Sequence, residues 1–301
     1  MPRRLRGLMV LALRAAGALA VVGAPHAAAQ QSKDVKQARI PMHRGFAVNA
    51  DVAFRVYVPA GRVRIVGWDR DSIDIEGVTG SNAQFFGGGG GGTHAKIGVE
   101  SRSPKDSALA YADLTVSVPR RARSWVKLTT GIIDASGVSG ELELYAVGGS
   151  ILVQRGSGVV SVESIDASVA INGFSGALRV RNGKGIVRLS DVTGTVSVAS
   201  VSGSVSIGGA SAPEARVETI GGRIDVNVKR FGGATLDLQT HSGDIAVTAA
   251  GPRLPAFDLL SRGGKVSKPA KAGDPKEGRV IARSFKGTIS MQTSSGIEGT
   301  R

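Results

Sequence analysis

The sequence predicts an all-β protein, a single-stranded parallel β-helix or solenoid. Three observations predict it. Glycine recurs every nine residues through the middle of the chain, two apolar residues follow each glycine at alternate positions, and only Tyr145 and Phe174 are aromatic between residues 131 and 211. The repeating glycines are Gly131, Gly140, Gly149, Gly158, Gly176, Gly185, Gly194 and Gly203, with Ala167 filling the skipped register. Glycine supplies the backbone freedom a corner needs.

Two places after each glycine stand Ile133, Leu142, Ile151, Val160, Val169, Leu178, Val187, Val196 and Val205. Four places after it stand Ala135, Leu144, Val153, Val162, Ile171, Val180, Leu189, Val198 and Ile207. The position between them is mostly polar, as at Asp134, Glu143, Ser161, Arg179 and Arg188. Apolar–polar–apolar at period two is a short strand with one buried face. Strands this short, joined by four-residue corners, bury too little alone and gain a continuous core only by stacking. A slender aliphatic bore also accounts for the scarcity of rings.

The seventh place reads Val138, Val147, Gly156, Ile165, Phe174, Gly183, Val192, Val201 and Ala210. Large, large, small recurs there, and apolar Ile132, Val159 and Ile186 stand 27 apart. Three units per turn, 27 residues, therefore fit better than two units and 18.

Taken in order, the chain opens with Arg3, Arg4 and Arg6, an apolar stretch from Leu8 to Gly23 and Ala27-Ala28-Ala29. This pattern reads as a signal peptide over residues 1–29, followed by a linker over 30–45. Its removal takes the net charge from +14 to +10, because it holds four arginines and no acid. No later stretch is long and apolar enough to span a membrane. The expected compartment is the periplasm or cell surface. Cysteine is absent, which excludes disulfides, thiolate metal sites and cysteine nucleophiles.

Residues 46–128 read as less regular capping turns. Strands are expected at Val52–Val58, Val63–Val66, Ile73–Ile75, Ile97–Val99, Leu114–Val118 and Val126–Leu128, two of them ended by Pro59 and Pro119. Six glycines at 87–92 predict a flexible loop. Residues 129–250 form the regular solenoid, which loosens after Ala212. Residues 251–301 form irregular C-terminal turns and a cap, with Gly263 to Gly278 an exposed loop.

The block Val58-Pro59-Ala60-Gly61-Arg62-Val63-Arg64-Ile65-Val66-Gly67-Trp68-Asp69, then Ser72-Ile73-Asp74-Ile75-Glu76-Gly77, Leu114–Pro119 and serial Ser-Gly-x-aliphatic-x-aliphatic units at Ser202-Gly203 and Ser242-Gly243 carry a resemblance. In that order they resemble the bacterial exported putative-adhesin family, a domain of unknown function built of β-strand repeats. The resemblance covers most of the chain from about residue 45. It implies an exported β-solenoid and brings no catalytic residues.

Chemistry-bearing residues are few. Asp134, Asp166 and Asp191 fall in different registers, so no stacked calcium site repeats along the corners. Asp69, Asp71, Asp74 and Glu76 cluster as a polar turn and outward strand positions. His43, His94 and His241 lack ligand spacing, so no metal site and no cofactor are expected. His241-Ser242-Gly243-Asp244 is too short a stretch for triad geometry. Uniform rungs without an insertion from 131 to 211 leave no loop-built cleft, so an enzyme is not expected. Phe85 and Phe86 are a candidate partner contact, with Arg120, Arg121 and Arg123 and with Lys265, Lys268 and Lys271. The basic balance of an exported chain favours an envelope protein or anionic glycan over nucleic acid. The function expected is a noncatalytic adhesin or binding scaffold. The alternatives are a polysaccharide-acting β-helix enzyme using Asp69 or Asp74, and an accessory module for envelope stress or signalling.

Overall fold

The structure, a computed structural model, describes residues 39–105, 107–271 and 273–293. The signal peptide expected at 1–29 lies outside the described residues, as do 30–38 of the expected linker. Strands and their connections make up everything described, and no helix occurs among these residues.

Nine strands precede the regular region or open it: β1 (Arg39–Ala47), β2 (Ala53–Trp68), β3 (Ser72–Gly80), β4 (Ala83–Gly90), β5 (His94–Ser101), β6 (Tyr111–Pro119), β7 (Arg123–Ser136), β8 (Glu141–Gln154) and β9 (Ser157–Asn172). Shorter strands follow: β10 (Ser175–Asn182), β11 (Val187–Ser190), β12 (Thr193–Ser200), β13 (Val205–Ser211), β14 (Glu214–Thr219), β15 (Ile224–Arg230), β16 (Thr235–Thr240) and β17 (Ile245–Ala249). The last four are β18 (Pro255–Ser261), β19 (Val266–Ser267), β20 (Asp274–Ser284) and β21 (Ile289–Thr293).

The turn of the solenoid is 18 residues, not 27. Leu178 pairs in parallel with Val160 on one side and Val196 on the other. Val187 likewise lies between Val169 and Val205. Each rung therefore has two strands, one on a front face and one on a back face. The front face runs β5, β2, β7, β8, β9, β10, β12, β14, β16, β20, β18, and long strands such as β2, β7, β8 and β9 bend to serve both faces. Ten steps at about 4.8 Å make a rod of about 50 Å. The 27-residue pattern arose from two interleaved columns with different tasks. Val138, Phe174 and Val192 point into the core, whereas Ile165 and Val201 point to solvent. Val159 and Ile186, the other support for 27, are also exposed.

Two corners per 18-residue turn explain the nine-residue spacing. Along one corner Gly131 and Gly149, and further on Gly185 and Gly203, stack on one another's line; along the other, Gly140, Gly158, Gly176 and Gly194 do. The need is steric as well as conformational. Gly131 has φ +137°, and a Cβ there would overlap the carbonyl oxygen of Gly61 one rung away. Gly176 has φ +140°, and its Cβ would overlap the carbonyl oxygen of Gly158. Rungs close to hydrogen-bonding distance only where no side chain intervenes.

Beside the first corner runs a buried polar column: Ser164, Asn182, Ser200, Thr219, Thr240 and Ser284. Each hydroxyl or amide satisfies the backbone of the turn that follows. Ser200 Oγ donates to Gly203 O at 2.9 Å, Thr219 Oγ1 donates to Gly222 O at 2.7 Å, and Thr240 Oγ1 accepts from Gly243 N at 3.0 Å. Asn182 donates to the Gly185 carbonyl and accepts from Ser164 Oγ at 2.5 Å. Buried backbone groups at a corner without strand partners would otherwise stay unpaired.

The bore is filled by Leu142, Leu144, Ile151, Val153, Val160, Val162, Val169, Ile171, Leu178, Val180, Val187, Leu189, Val196, Val198, Val205 and Ile207, all buried. The core continues into the N-terminal region through Phe54, Val56, Val63, Ile65, Ile97 and Leu114.

The ends depart from the linear reading. β2 is one strand that passes through Pro59 without ending, and it lies between β7 and the later pair β5 and β6. β3, β4 and β1 then pair antiparallel, β3 on β6, β4 on β5 and β1 on β3. Hairpin strands cover the parallel edge there, a protection that open sheet ends require. Residues 39–45, expected as linker, belong to β1. Gly87–Gly90, expected as flexible loop, belong to β4, and only the turn from Gly91 to Thr93 remains irregular. Antiparallel pairing with residues 94–97 of β5 holds them, the Phe46 ring fills the space beside Gly89, and the Phe86 ring at the tract's flank covers Gly98 of β5. At the other end β20 and β21 insert between β16/β17 and β18/β19. The last strands in sequence are thus second to last in the stack.

Candidate functional site

Outward positions of the front face form two rows, because alternate residues of each strand point away from the bore. The first row includes Lys96, Arg55, Trp125, Glu143 and Ser161. The second includes Tyr57, Lys127, Tyr145, Glu163, Arg181, Ala199, Glu218, Gln239 and Arg283. Contrary to the expectation of no cleft, unequal side-chain sizes carve this face into two concavities without any inserted loop.

The N-terminal concavity encloses about 710 Å³ and is lined by Arg55, Tyr57, Phe86, Lys96, Arg123, Trp125 and Lys127, with Glu141 and Glu143 at its side. Among the described residues Arg55, Lys96, Arg123 and Lys127 take part in no ion pair. Two of them lie over aromatic faces instead. The Lys96 ammonium is 5.7 Å from the Phe86 centroid, and the Lys127 ammonium is 5.0 Å from the Tyr145 centroid. Four cations against two carboxylates leave the concavity positive, and half-buried rings give it flat apolar surface.

The second concavity, about 1160 Å³, follows the corner beside the same face. Its wall is Ile165, Val201, Ile220 and Phe285, exposed by 54, 53, 58 and 46%. Gly183 and Ala199 open its middle, and Tyr145 to Arg283 of the second row form its floor. His241 stacks on Phe285 with ring centroids 5.1 Å apart and planes 13° from parallel.

The sequence-selected partner residues separate. Phe86 and Arg123 meet in the N-terminal concavity. Phe85 packs half-buried against the core. Arg120 binds Asp69 at 2.7 Å and the Gly137 carbonyl at 3.0 Å, and Arg121 is exposed in the turn beside it. Lys265, Lys268 and Lys271 are exposed on the connection at the C-terminal end of the rod. Lys127, which the sequence groups with Arg120, Arg121 and Arg123 as a basic concentration, also lines the N-terminal concavity, whereas Arg55, Lys96 and Trp125 were not singled out by sequence. Their signal was available as two-residue spacing within residues 54–58, 95–97 and 124–128, where the alternate residues face in and these residues face out.

His241, Ser242 and Asp244 do not form a triad. Ser242 Oγ donates to the Ile220 carbonyl at 3.2 Å, Asp244 Oδ1 accepts from Thr288 N at 2.7 Å, and His241 faces Phe285. At the C-terminal end, the Arg283 guanidinium hydrogen-bonds Asp258 and holds its carboxyl below the ordinary range. Glu218, through its hydrogen bond and its charge, raises the Arg216 guanidinium further.

The family model described as Toastrack DUF4097 matches residues 71–254, more than half of the chain. No curated protein matches the sequence. Among solved structures, a putative cell adhesion protein from Clostridium sporogenes is 8% identical, covers 85% of this chain and 100% of its own, with a TM-score of 0.21. A putative adhesin from Bacteroides fragilis is 12% identical, with coverages of 86 and 99% and a TM-score of 0.28. A putative lipid binding protein from Parabacteroides distasonis is 13% identical, with coverages of 85 and 97% and a TM-score of 0.33. Likeness at these scores transfers no function.

Proposed function

This chain belongs to the Toastrack DUF4097 family, and we propose that it serves as an exported, noncatalytic binding scaffold whose front face takes an anionic glycan. One observation carries the reading: four cations without ion-pair partners among the described residues surround Trp125, Tyr57 and Phe86 in one concavity. Sugar rings present flat C–H faces to aromatic rings, while guanidinium and ammonium groups meet carboxylates or sulfates. A rigid sheet holds these groups in place, so little ordering is needed on binding. The basic balance of the chain adds attraction at longer range.

The apolar wall at Ile165, Val201, Ile220 and Phe285 favours a second reading, in which an envelope protein lies along the corner. The two separate by experiment. The purified protein is applied to an array of neutral and anionic glycans, and the same array is read with R55E/R123E. The proposal expects anionic-selective binding that the double variant loses. A blank array contradicts it. Binding of an envelope protein that I220D abolishes and R55E/R123E spares moves the site to the corner groove. Turnover of any glycan removes the noncatalytic part of the reading.

A further inference from the structure

We propose that His43, Asp74 and Glu76 form a binding site for a divalent cation of the zinc class, which staples the edge strand β1 to β3. The residues come from strands that pair antiparallel. His43 stands opposite Glu76, and Asp74 stands opposite Gly45, two places along. Their donor atoms all lie within 4.8 Å of one another. His43 Nε2 is 2.7 Å from Asp74 Oδ1.

The donor set selects the cation. One imidazole nitrogen and two carboxylate oxygens suit zinc, which takes nitrogen and oxygen donors in four-coordinate sites and accepts water in the fourth place. Calcium and magnesium prefer oxygen donors throughout and more of them. His43 and Glu76 are exposed and Asp74 is half-buried, so a cation reaches the cluster from solvent.

No lysine or arginine neutralises the cluster among the described residues. The chain carries a formal +14. Asp69 is paired with Arg120 and Asp134 with Arg64. Asp74 has only His43 as ionic partner, and Glu76 has none among the described residues. Two carboxylates thus converge on one imidazole. Gly45 keeps the approach clear, since a Cβ there would stand 3.2 Å from Asp74 Oδ1.

The location gives the cation a task. β1 has a single strand partner, and only Met42 and Phe46 of its side chains reach the core. An edge strand with so little burial opens at low cost. A metal bridging β1 and β3 raises that cost, because binding needs both strands in place. The site lies away from the front-face concavities, so it stands or falls independently of the glycan reading.

The test titrates zinc chloride into purified, chelator-treated protein by calorimetry, with hydrogen exchange of residues 39–47 read in parallel. One saturable zinc per chain is expected, with exchange in β1 slowed at least several-fold. H43A and E76Q should each lose the binding, and H241A should keep it. E76Q preserves shape, so its loss is not a folding failure. No saturable binding at micromolar zinc, as an imidazolium–carboxylate ion pair alone would give, overturns the proposal. Binding retained in both H43A and E76Q also overturns it.

Discussion

Phe174 and Gly156 supply the sharpest test of how the rungs stack. Phe174 is fully buried, at 1% exposure, and its ring covers Gly156 of the preceding rung, where a built Cβ would lie 3.3 Å from Cδ2. A phenylalanine buries about 200 Å². At about 25 cal/mol per Å² this is about 5 kcal/mol, an upper figure because the unfolded chain already buries part of it. F174A should therefore cost about 3–5 kcal/mol, cavity included. That corresponds to a fall in Tm of about 10 °C for a domain of this size. G156A alone should cost about 1–2 kcal/mol, because its methyl meets the ring at 3.3 Å and the Val138 carbonyl oxygen at 3.0 Å. With the ring gone the methyl enters the vacated space, so the double variant should be more stable than the sum of singles by about 1 kcal/mol. Urea unfolding of the four proteins, followed by circular dichroism, measures all three quantities. Additivity within about 0.3 kcal/mol would refute contact between residues 18 apart, and so the two-strand turn.

Three further outcomes follow from individual positions. Ser124 is buried in the bore with no partner for its hydroxyl among the described residues, so S124A should raise stability by about 1 kcal/mol in the same unfolding assay. G131A should cost about 3 kcal/mol or more, since φ +137° and the Gly61 carbonyl both oppose a side chain; a loss below about 1 kcal/mol would contradict the corner geometry. Acid should loosen the C-terminal rung. Asp258 is held below its ordinary range by its hydrogen bond to Arg283. Its contribution is therefore present above the unfolded carboxylate pKa and lost as pH falls through the lower folded value. Hydrogen exchange at β18, compared between neutral pH and pH 3 after correction for intrinsic rates, should show this opening, and D258N should remove the dependence.

Strand positions were legible because period two is written directly in Val160/Val162, Leu178/Val180 and their counterparts. The length of the turn was not legible at position seven because that position mixes two columns, one buried at Phe174 and one exposed at Ile165. Better signals were present. Ser164, Asn182 and Ser200 recur every 18 residues, each three places before a corner Ala or Gly. Gly137, Arg155, Gly173 and Asp191 also recur every 18, and all adopt positive φ. The order of the end rungs was not legible. Nothing in the local pattern of β2 or β20 shows that a later strand will lie outside it, because that order is decided by long-range pairing. The glycine tract at 87–92 gives no local sign of its strand for a related reason: the β5 residues it pairs with and the Phe46 ring over Gly89 come from elsewhere in the chain. Arg123 and Phe86 were visible as candidates, but the concavity they share exists only once β5, β2 and β7 are side by side.

Tryptophan fluorescence reads the proposed binding of anionic glycan at the Trp125 concavity without a label. The chain has two tryptophans, so W68F leaves Trp125 as the sole reporter. Titration with oligogalacturonate should give a saturable change in emission, weakened by 0.5 M salt (about a 4 Å screening length) and absent in W68F/R123E/K127E. Neutral maltooligosaccharide should give none. An unchanged spectrum, or equal responses to the neutral sugar and in the charge-reversed variant, would exclude charge-selective glycan binding at this concavity.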